Sequence, residues 1–146
     1  MARDFSAGLE AARQLIATLA QRYPALEIVP SERSLGEWDF VLPVLPGLKT
    51  EIWLAFSNND EIHFGVENFW IEYFPCTDPV QREEFIDAVS GFIDGRYQIN
   101  EHYRGGHCVR ADLQKPNGGG WETIASWSRF HWPIPYSKTY KTITNR

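Results

Sequence analysis

The sequence predicts an α+β fold in which a single curved, meander-like antiparallel β-sheet carries two helices packed on one face. Three observations lead to this prediction. Apolar residues recur at helical spacing in two segments, near 5–22 and 79–94. The other apolar stretches alternate with a period of two, and no strand–helix–strand alternation separates them. A chain of 146 residues is long enough to bury one core, so we expect residues 1–146 to form a single domain.

The first helix is predicted from an apolar stripe near the start of the chain. Its members are Phe5, Leu9, Ala12, Ile16, Leu19 and Tyr23. Asp4 or Ser6 can accept hydrogen bonds from the first amide groups of this helix. Pro24 cannot continue a helix, so the helix should end before it.

Strands are expected next, near 26–30, 37–44, 49–56, 61–67 and 69–74. The segment Asn58-Asn59-Asp60 tolerates left-handed backbone and therefore favours a tight hairpin between two of these strands. In the strand at 61–67, Ile62, Phe64 and Val66 fall on one face. The other face then holds Glu61, His63, Gly65 and Glu67.

The second helix carries the strongest local signals in the chain. Asp78 is a suitable N-cap, Pro79 suits the first helical position, and Gln81 follows three residues after the cap. The buried stripe should include Phe92, and Gly95 should end the helix.

Strands return after Gly95. A hairpin is expected between residues near 97–103 and 109–113, with its turn at 104–107. A looser loop at 116–120 should lead to a strand at 121–127. The end of the chain, 133–146, is predicted to be an edge strand or an extended arm.

Charge is divided unevenly along the chain. Residues 27–94 hold fourteen carboxylates against three bases, whereas residues 95–146 hold eight bases against three acids. A segregated charge creates a field that steers a charged partner, so we expect a basic protein partner for the acidic segment. The net charge of −5 argues against a nucleic-acid partner, because backbone binding requires a basic surface. No apolar run is long enough for a membrane span, and we expect a cytoplasmic protein.

The chain contains none of the common catalytic or cofactor motifs, and we expect no cofactor. Cys76 and Cys108 are too few and too far apart for a disulfide framework or a CxxC site. His63 shares a predicted strand face with Glu61 and Glu67, an arrangement that can bind a metal but that also matches an ordinary solvent-facing strand. His102 and His107 flank a predicted turn, where two histidines alone do not complete a zinc site. His131 stands between two aromatic residues and is expected to pack with them.

The residues predicted to contact a partner are carboxylates of the acidic segment with one aromatic anchor. They are Glu37, Asp39, Glu61, Glu67, Glu72 and Trp70. Exposed tryptophans anchor protein interfaces, although most of the large aromatic residues are expected in the core.

The stretch from Glu61 to Phe74, the segment Phe92-Ile93-Asp94-Gly95 and the segment from Tyr103 to His107 resemble a pattern in small bacterial proteins. Some of these proteins are similar to immunity proteins of polymorphic-toxin and contact-dependent systems. The resemblance implies a protein that neutralises a partner by binding it, and it implies no catalytic residue. Two alternatives stay open. The chain also resembles type III secretion chaperones in size, acidity and opening helix–strand order, and His63 or the pair His102 and His107 allows a small metal-dependent hydrolase.

Overall fold

The computed structural model describes residues 5–31, 38–44, 47–129 and 137–145. The helices are α1 (Phe5–Arg22) and α2 (Pro79–Ile93). The strands are β1 (Val29–Pro30), β2 (Trp38–Leu42), β3 (Ile52–Ser57), β4 (Glu61–Val66), β5 (Phe69–Tyr73), β6 (Gln98–Arg104), β7 (His107–Asn117), β8 (Gly120–Ser128) and β9 (Lys138–Ile143). The predicted α+β class with antiparallel pairing is confirmed.

The strands form two sheets where the sequence predicted one. The first sheet is a meander in the order β1-β2-β3-β4-β5, and the second has the order β8-β7-β6-β9. After β5 the chain enters α2, and β6 then pairs with β7 and β9 instead of returning to the edge of the first sheet. Alternation identifies strands but not their partners, so the prediction of a single sheet was wrong.

One hydrophobic core joins the two helices to both sheets. It contains the inward residues of the first sheet, such as Phe56 and Phe64, and the buried residues of α1 and α2. The rings of Phe64 and Phe92 lie 6.3 Å apart, which places α2 directly on β4. Ile99 and Leu113 bring the second sheet into the same core. Both helices were predicted to pack on one face of a single sheet, and in the structure they share one core with the inner face of the first of two sheets.

The two helices are tied together at their polar surfaces. Arg22 Nη1 donates a hydrogen bond to Ser90 Oγ at 2.9 Å, and the Tyr23 hydroxyl donates to Asp94 Oδ1 at 2.8 Å. Neither described helix is long and apolar enough to cross a membrane.

The predicted cap and stop of α2 are both present. Asp78 accepts a hydrogen bond from the Val80 amide at 3.0 Å, and Pro79 opens the helix. Gly95 has a φ of 73°, a left-handed conformation that favours glycine at this position.

The hairpin turns follow the sequence closely, with one difference. Asn58 and Asn59 both have positive φ in the β3–β4 turn, as their residue types predicted. The loop predicted at 116–120 is shorter in the structure, because β7 continues through Pro116 and only Gly118 and Gly119 form the turn. Strand β9 is an edge strand paired with β6, while residues 130–136, which include His131, lie outside the described part of the chain.

A buried glutamate connects the second sheet to the β4–β5 turn. Glu101 is fully buried and accepts hydrogen bonds from the Asn68 amide at 3.1 Å and from the Tyr103 hydroxyl at 2.9 Å. Buried carboxylates need such donors to offset the loss of hydration. This contact holds the turn that follows β4 against the second sheet.

Candidate functional site

The candidate site lies on the face of the first sheet that is turned away from the helices. We call this the outer face, and it is defined by Asp39, Trp53, Ala55, Ser57, Glu61, His63, Gly65, Trp70 and Glu72. Directly opposed residues of antiparallel strands point to the same side. One row across the sheet therefore places Asp39, Ala55, His63 and Glu72 side by side, and the next row places Trp53, Gly65 and Trp70 together.

His63 is the centre of this face and is only 7% exposed. The Trp70 Nε1–H group donates a hydrogen bond to His63 Nδ1 at 3.0 Å. An indole nitrogen can only donate, so Nδ1 must be the acceptor and the ring proton must reside on Nε2. That Nε2–H group faces Ser57 Oγ at 2.8 Å and Glu61 Oε2 at 3.4 Å.

The His63 ring is held in its neutral form. Burial lowers the pKa of His63. The nearby charges of Glu61, Glu72 and Asp39 offset only part of this decrease. The hydrogen bond from Trp70 acts in the same direction as burial, because a protonated Nδ1 would point its hydrogen at the indole N–H. The carboxylates of the outer face are therefore not neutralised by an imidazolium at neutral pH.

The same tautomer decides what Ser57 can do. A serine becomes a nucleophile when a histidine nitrogen with a free lone pair accepts its proton. Here the nitrogen that faces Ser57 already carries a hydrogen, and the other nitrogen is bound by Trp70. The Ser57–His63 contact is thus a structural hydrogen bond and does not activate the hydroxyl group.

The proton on His63 Nε2 also prevents this nitrogen from binding a metal ion. Glu61, His63 and Glu72 each offer one ligand atom, and these atoms lie within 4.8 Å of one another. No other group of three such residues in the described part of the chain lies as close together. A metal on His63 Nε2 needs the ring proton on Nδ1. That proton would meet the Trp70 N–H, so the three residues do not fit a metal while this hydrogen bond holds.

Trp70 is fixed in place from two sides. Its Nε1 atom is bound to His63, and its ring lies over Gly65, where a Cβ atom would come within 2.7 Å of Cζ3 and closer still to Cε3. Trp53, next in the same row, donates its Nε1–H group to Glu51. Both indoles remain partly exposed, so the outer face presents two rigid aromatic surfaces.

Two carboxylates on this face lack a cationic partner. Glu72 is exposed, and the Glu61 side chain is 20% exposed and accepts a hydrogen bond from Asn58 Nδ2 at 3.0 Å. Within the described ranges, no lysine or arginine forms an ion pair with Glu61 or Glu72. Their charge is therefore available to a ligand.

Four of the six residues predicted to contact a partner meet on the outer face, namely Asp39, Glu61, Glu72 and Trp70. Glu67 does not, because β4 ends at Val66 and Glu67 lies in the following turn with a φ of 52°. The expected grouping of Glu61, His63 and Glu67 is thus corrected, and Glu72 of the neighbouring strand takes the place of Glu67. Glu37 lies outside the described residues.

Trp53 and Ser57 also lie on the outer face, and neither was predicted from the sequence. The signal was present, because the predicted hairpin at 58–60 sets Ser57 opposite Glu61 and hence Trp53 opposite Gly65. Extending the register of that hairpin by period two would have placed both residues on the outer face.

The pair His102 and His107 forms no comparable site. His102 Nε2 lies 3.0 Å from Asp112 Oδ2, while Ser126 Oγ and Arg110 Nε donate to Asp112 Oδ1 at 2.6 and 2.7 Å. Burial raises the pKa of Asp112, but the bonds from Ser126, Arg110 and His102 outweigh it and keep that pKa below its usual value. The carboxylate stands between Ser126 and His102, so the histidine cannot accept the serine proton. His107 is exposed beside the β6–β7 turn.

Cys108 is not set up as a nucleophile. It is 6% exposed, and burial together with the nearby Glu101 charge raises the pKa of its thiol. A thiol needs a lowered pKa to react as the thiolate.

Comparisons of this chain with protein-family models, with curated proteins and with solved structures gave no significant match.

Proposed function

We propose that this protein is an acidic binding module that captures a basic protein partner on its outer face, in the manner of an immunity protein that neutralises a toxin by binding. The observation that carries the proposal is a fixed Trp70 indole on the same sheet face as the carboxylates of Glu61 and Glu72, which have no lysine or arginine partner among the described residues. The sequence resemblance to immunity-like bacterial proteins points in the same direction.

A fixed tryptophan suits an interface anchor. Truncation of buried tryptophans is among the most costly changes at protein interfaces. Immobilising a side chain on binding costs conformational entropy. Trp70 is already held in place by its hydrogen bond to His63 and its packing on Gly65. The indole can therefore contribute its apolar surface to a complex at little additional entropic cost.

The carboxylates of the outer face make it selective for a basic partner. Glu61 and Glu72 flank a neutral His63, so their field attracts lysine and arginine side chains and repels acidic surfaces. Such charges act mainly on the association rate and on its dependence on salt.

A first test needs no identified partner. An octa-lysine peptide is titrated into the isotope-labelled protein, and the backbone amide shifts are followed by NMR. We expect the largest changes on β3, β4 and β5 around Glu61 and Glu72. A uniform response over all acidic surfaces, including α2, would contradict the proposal.

The second test uses the product of the adjacent gene as a candidate toxin. Co-expression should restore growth of cells that the candidate toxin inhibits, and Glu61→Gln/Glu72→Gln should slow association about ten-fold or more at low ionic strength. Trp70→Ala should instead raise the dissociation rate. The matched control is Glu10→Gln/Glu83→Gln, which removes the same charge from exposed positions on the helices. Equal effects of the two double variants would show that only net charge matters and would overturn the assignment of the outer face.

A further inference from the structure

The second sheet carries a hollow of about 230 Å³ with a basic lining. It lies where β6 pairs with the edge strand β9, and its lining includes His102, Arg104, Val109, Arg110, Lys138 and Tyr140. The positive charge of this lining contrasts with the negative charge of the outer face.

Two cations in this hollow are set directly against each other. Arg104 of β6 is paired in register with Lys138 of β9, and His102 is paired with Tyr140 in the next pair on the same side. Like charges directly opposite each other destabilise a sheet. Among the described residues, neither Arg104 nor Lys138 has a carboxylate partner. An anion bound between them would remove this repulsion.

The carboxylate of Asp112 contacts two residues of the lining, and its hydrogen bonds are already made within the protein. Asp112 has a side chain that is 4% exposed, and it binds Arg110, His102 and Ser126. Arg110 keeps half of its side chain exposed although its Nε is bound to Asp112. The hollow therefore holds an excess of positive charge from Arg104 and Lys138.

The backbone is irregular at the same place. The register between β6 and β7 shifts at His102 and Tyr103, where Val109 is the extra residue on β7. Such bulges re-aim side chains and are frequent beside functional sites. Val109 lines the hollow, so the irregularity shapes one of its walls.

We propose that this hollow binds a small oxyanion of the phosphate class between Arg104 and Lys138. A planar guanidinium and an ammonium are the groups that proteins use for such anions. The volume lies below the roughly 300 Å³ at which small-molecule pockets usually begin, which favours phosphate or a small phosphate monoester over a nucleotide. This inference is independent of the proposed protein partner, which concerns the other sheet.

The test compares inorganic phosphate with chloride at equal ionic strength. Phosphate should raise the melting temperature in a saturable way that chloride does not reproduce. Arg104→Gln and Lys138→Gln should each weaken phosphate binding about ten-fold or more, the scale of one lost charge-assisted hydrogen bond. Lys141→Gln is the matched control, because it removes the same charge from the same strand but is not part of the lining.

A second readout separates binding from folding. Because Lys138 opposes Arg104, Lys138→Gln should leave the melting temperature without phosphate unchanged or higher, while the phosphate concentration needed to raise that temperature increases about ten-fold or more. Arg104→Lys should recover part of the binding.

Phenyl phosphate distinguishes the two sources of the anion. Tighter binding of phenyl phosphate than of phosphate, lost in Tyr140→Ala, would support an organic phosphate, and equal binding would support free phosphate. Identical effects of phosphate and chloride, or unchanged phosphate binding in both Arg104→Gln and Lys138→Gln, would overturn the proposal.

Discussion

The close approach of Trp70 to Gly65 gives the sharpest prediction about the candidate site. A Cβ atom on residue 65 would lie 2.7 Å from Trp70 Cζ3, whereas ordinary contacts begin at 3.4 Å. Because Cε3 would lie closer still, the indole would have to move by about 1 Å or more in Gly65→Ala. Such a movement would break its 3.0 Å hydrogen bond to His63.

The expected loss of stability has two parts. Overpacking typically costs about 1–3 kcal/mol, and a lost hydrogen bond costs about 0.5–1.5 kcal/mol. We therefore expect Gly65→Ala to lower the free energy of unfolding by about 1.5–4.5 kcal/mol, measured by urea denaturation. Gly120→Ala is the control, because its Cβ atom would meet no atom nearer than 3.7 Å and its φ is not positive.

A double-mutant cycle isolates the cause. In a Trp70→Ala background the obstacle is gone, so Gly65→Ala should be neutral or stabilise the strand by about 0.5–1 kcal/mol. The same loss in both backgrounds, or no loss in the wild-type background, would refute the view that Gly65 exists to admit the indole.

Three further predictions follow from the core and from His63. Phe92→Ala should lower the free energy of unfolding by about 3–5 kcal/mol, because Phe92 is fully buried. A loss below about 1 kcal/mol would contradict this packing. The pKa of His63 is lowered in the folded protein, so the unfolded chain binds the extra proton first. Stability should therefore be complete above about pH 6.5 and fall as the pH drops toward the folded pKa. His63→Gln should flatten that part of the stability–pH curve, and an unchanged curve would assign the dependence to the carboxylates alone. Trp70→Phe should bind Zn²⁺ about ten-fold or more tightly than the wild type in a thermal-shift titration, because His63 Nδ1 is then free to carry the proton. Equal zinc affinity would show that the tautomer does not block the site.

Local signals in the sequence were sufficient for most elements. The cap at Asp78, the glycine stop at Gly95 and the asparagines at 58 and 59 fix backbone geometry through contacts within a few residues. The pairing of strands depends instead on contacts far apart in the chain. Nothing near β6 indicates that it avoids β5 and pairs with β9, and the number of sheets was mispredicted for that reason.

The candidate site was predictable in composition but not in its chemistry. Alternation placed Glu61 and His63 on one face, but the end of β4 at Val66 removed Glu67 from that face. The role of His63 depends on one hydrogen bond from Trp70, seven residues away across a hairpin. Sequence spacing gives no tautomer, so the sequence alone left open a metal-dependent hydrolase that uses His63.

The segregation of charge along the chain becomes a segregation in space because each sheet is built from one contiguous segment. The strands of the first sheet lie between residues 29 and 73, in the acidic part of the sequence, whereas those of the second sheet lie between residues 98 and 143, in the basic part. Had strands from the two halves been interleaved, the opposite charges would have paired across the strands and cancelled. With separate sheets, Glu61 and Glu72 keep their charge on one surface while Arg104 and Lys138 keep theirs on another. Under the two proposals, a basic protein would be attracted to the first sheet and a small anion to the second, and each would be repelled by the charge of the other sheet.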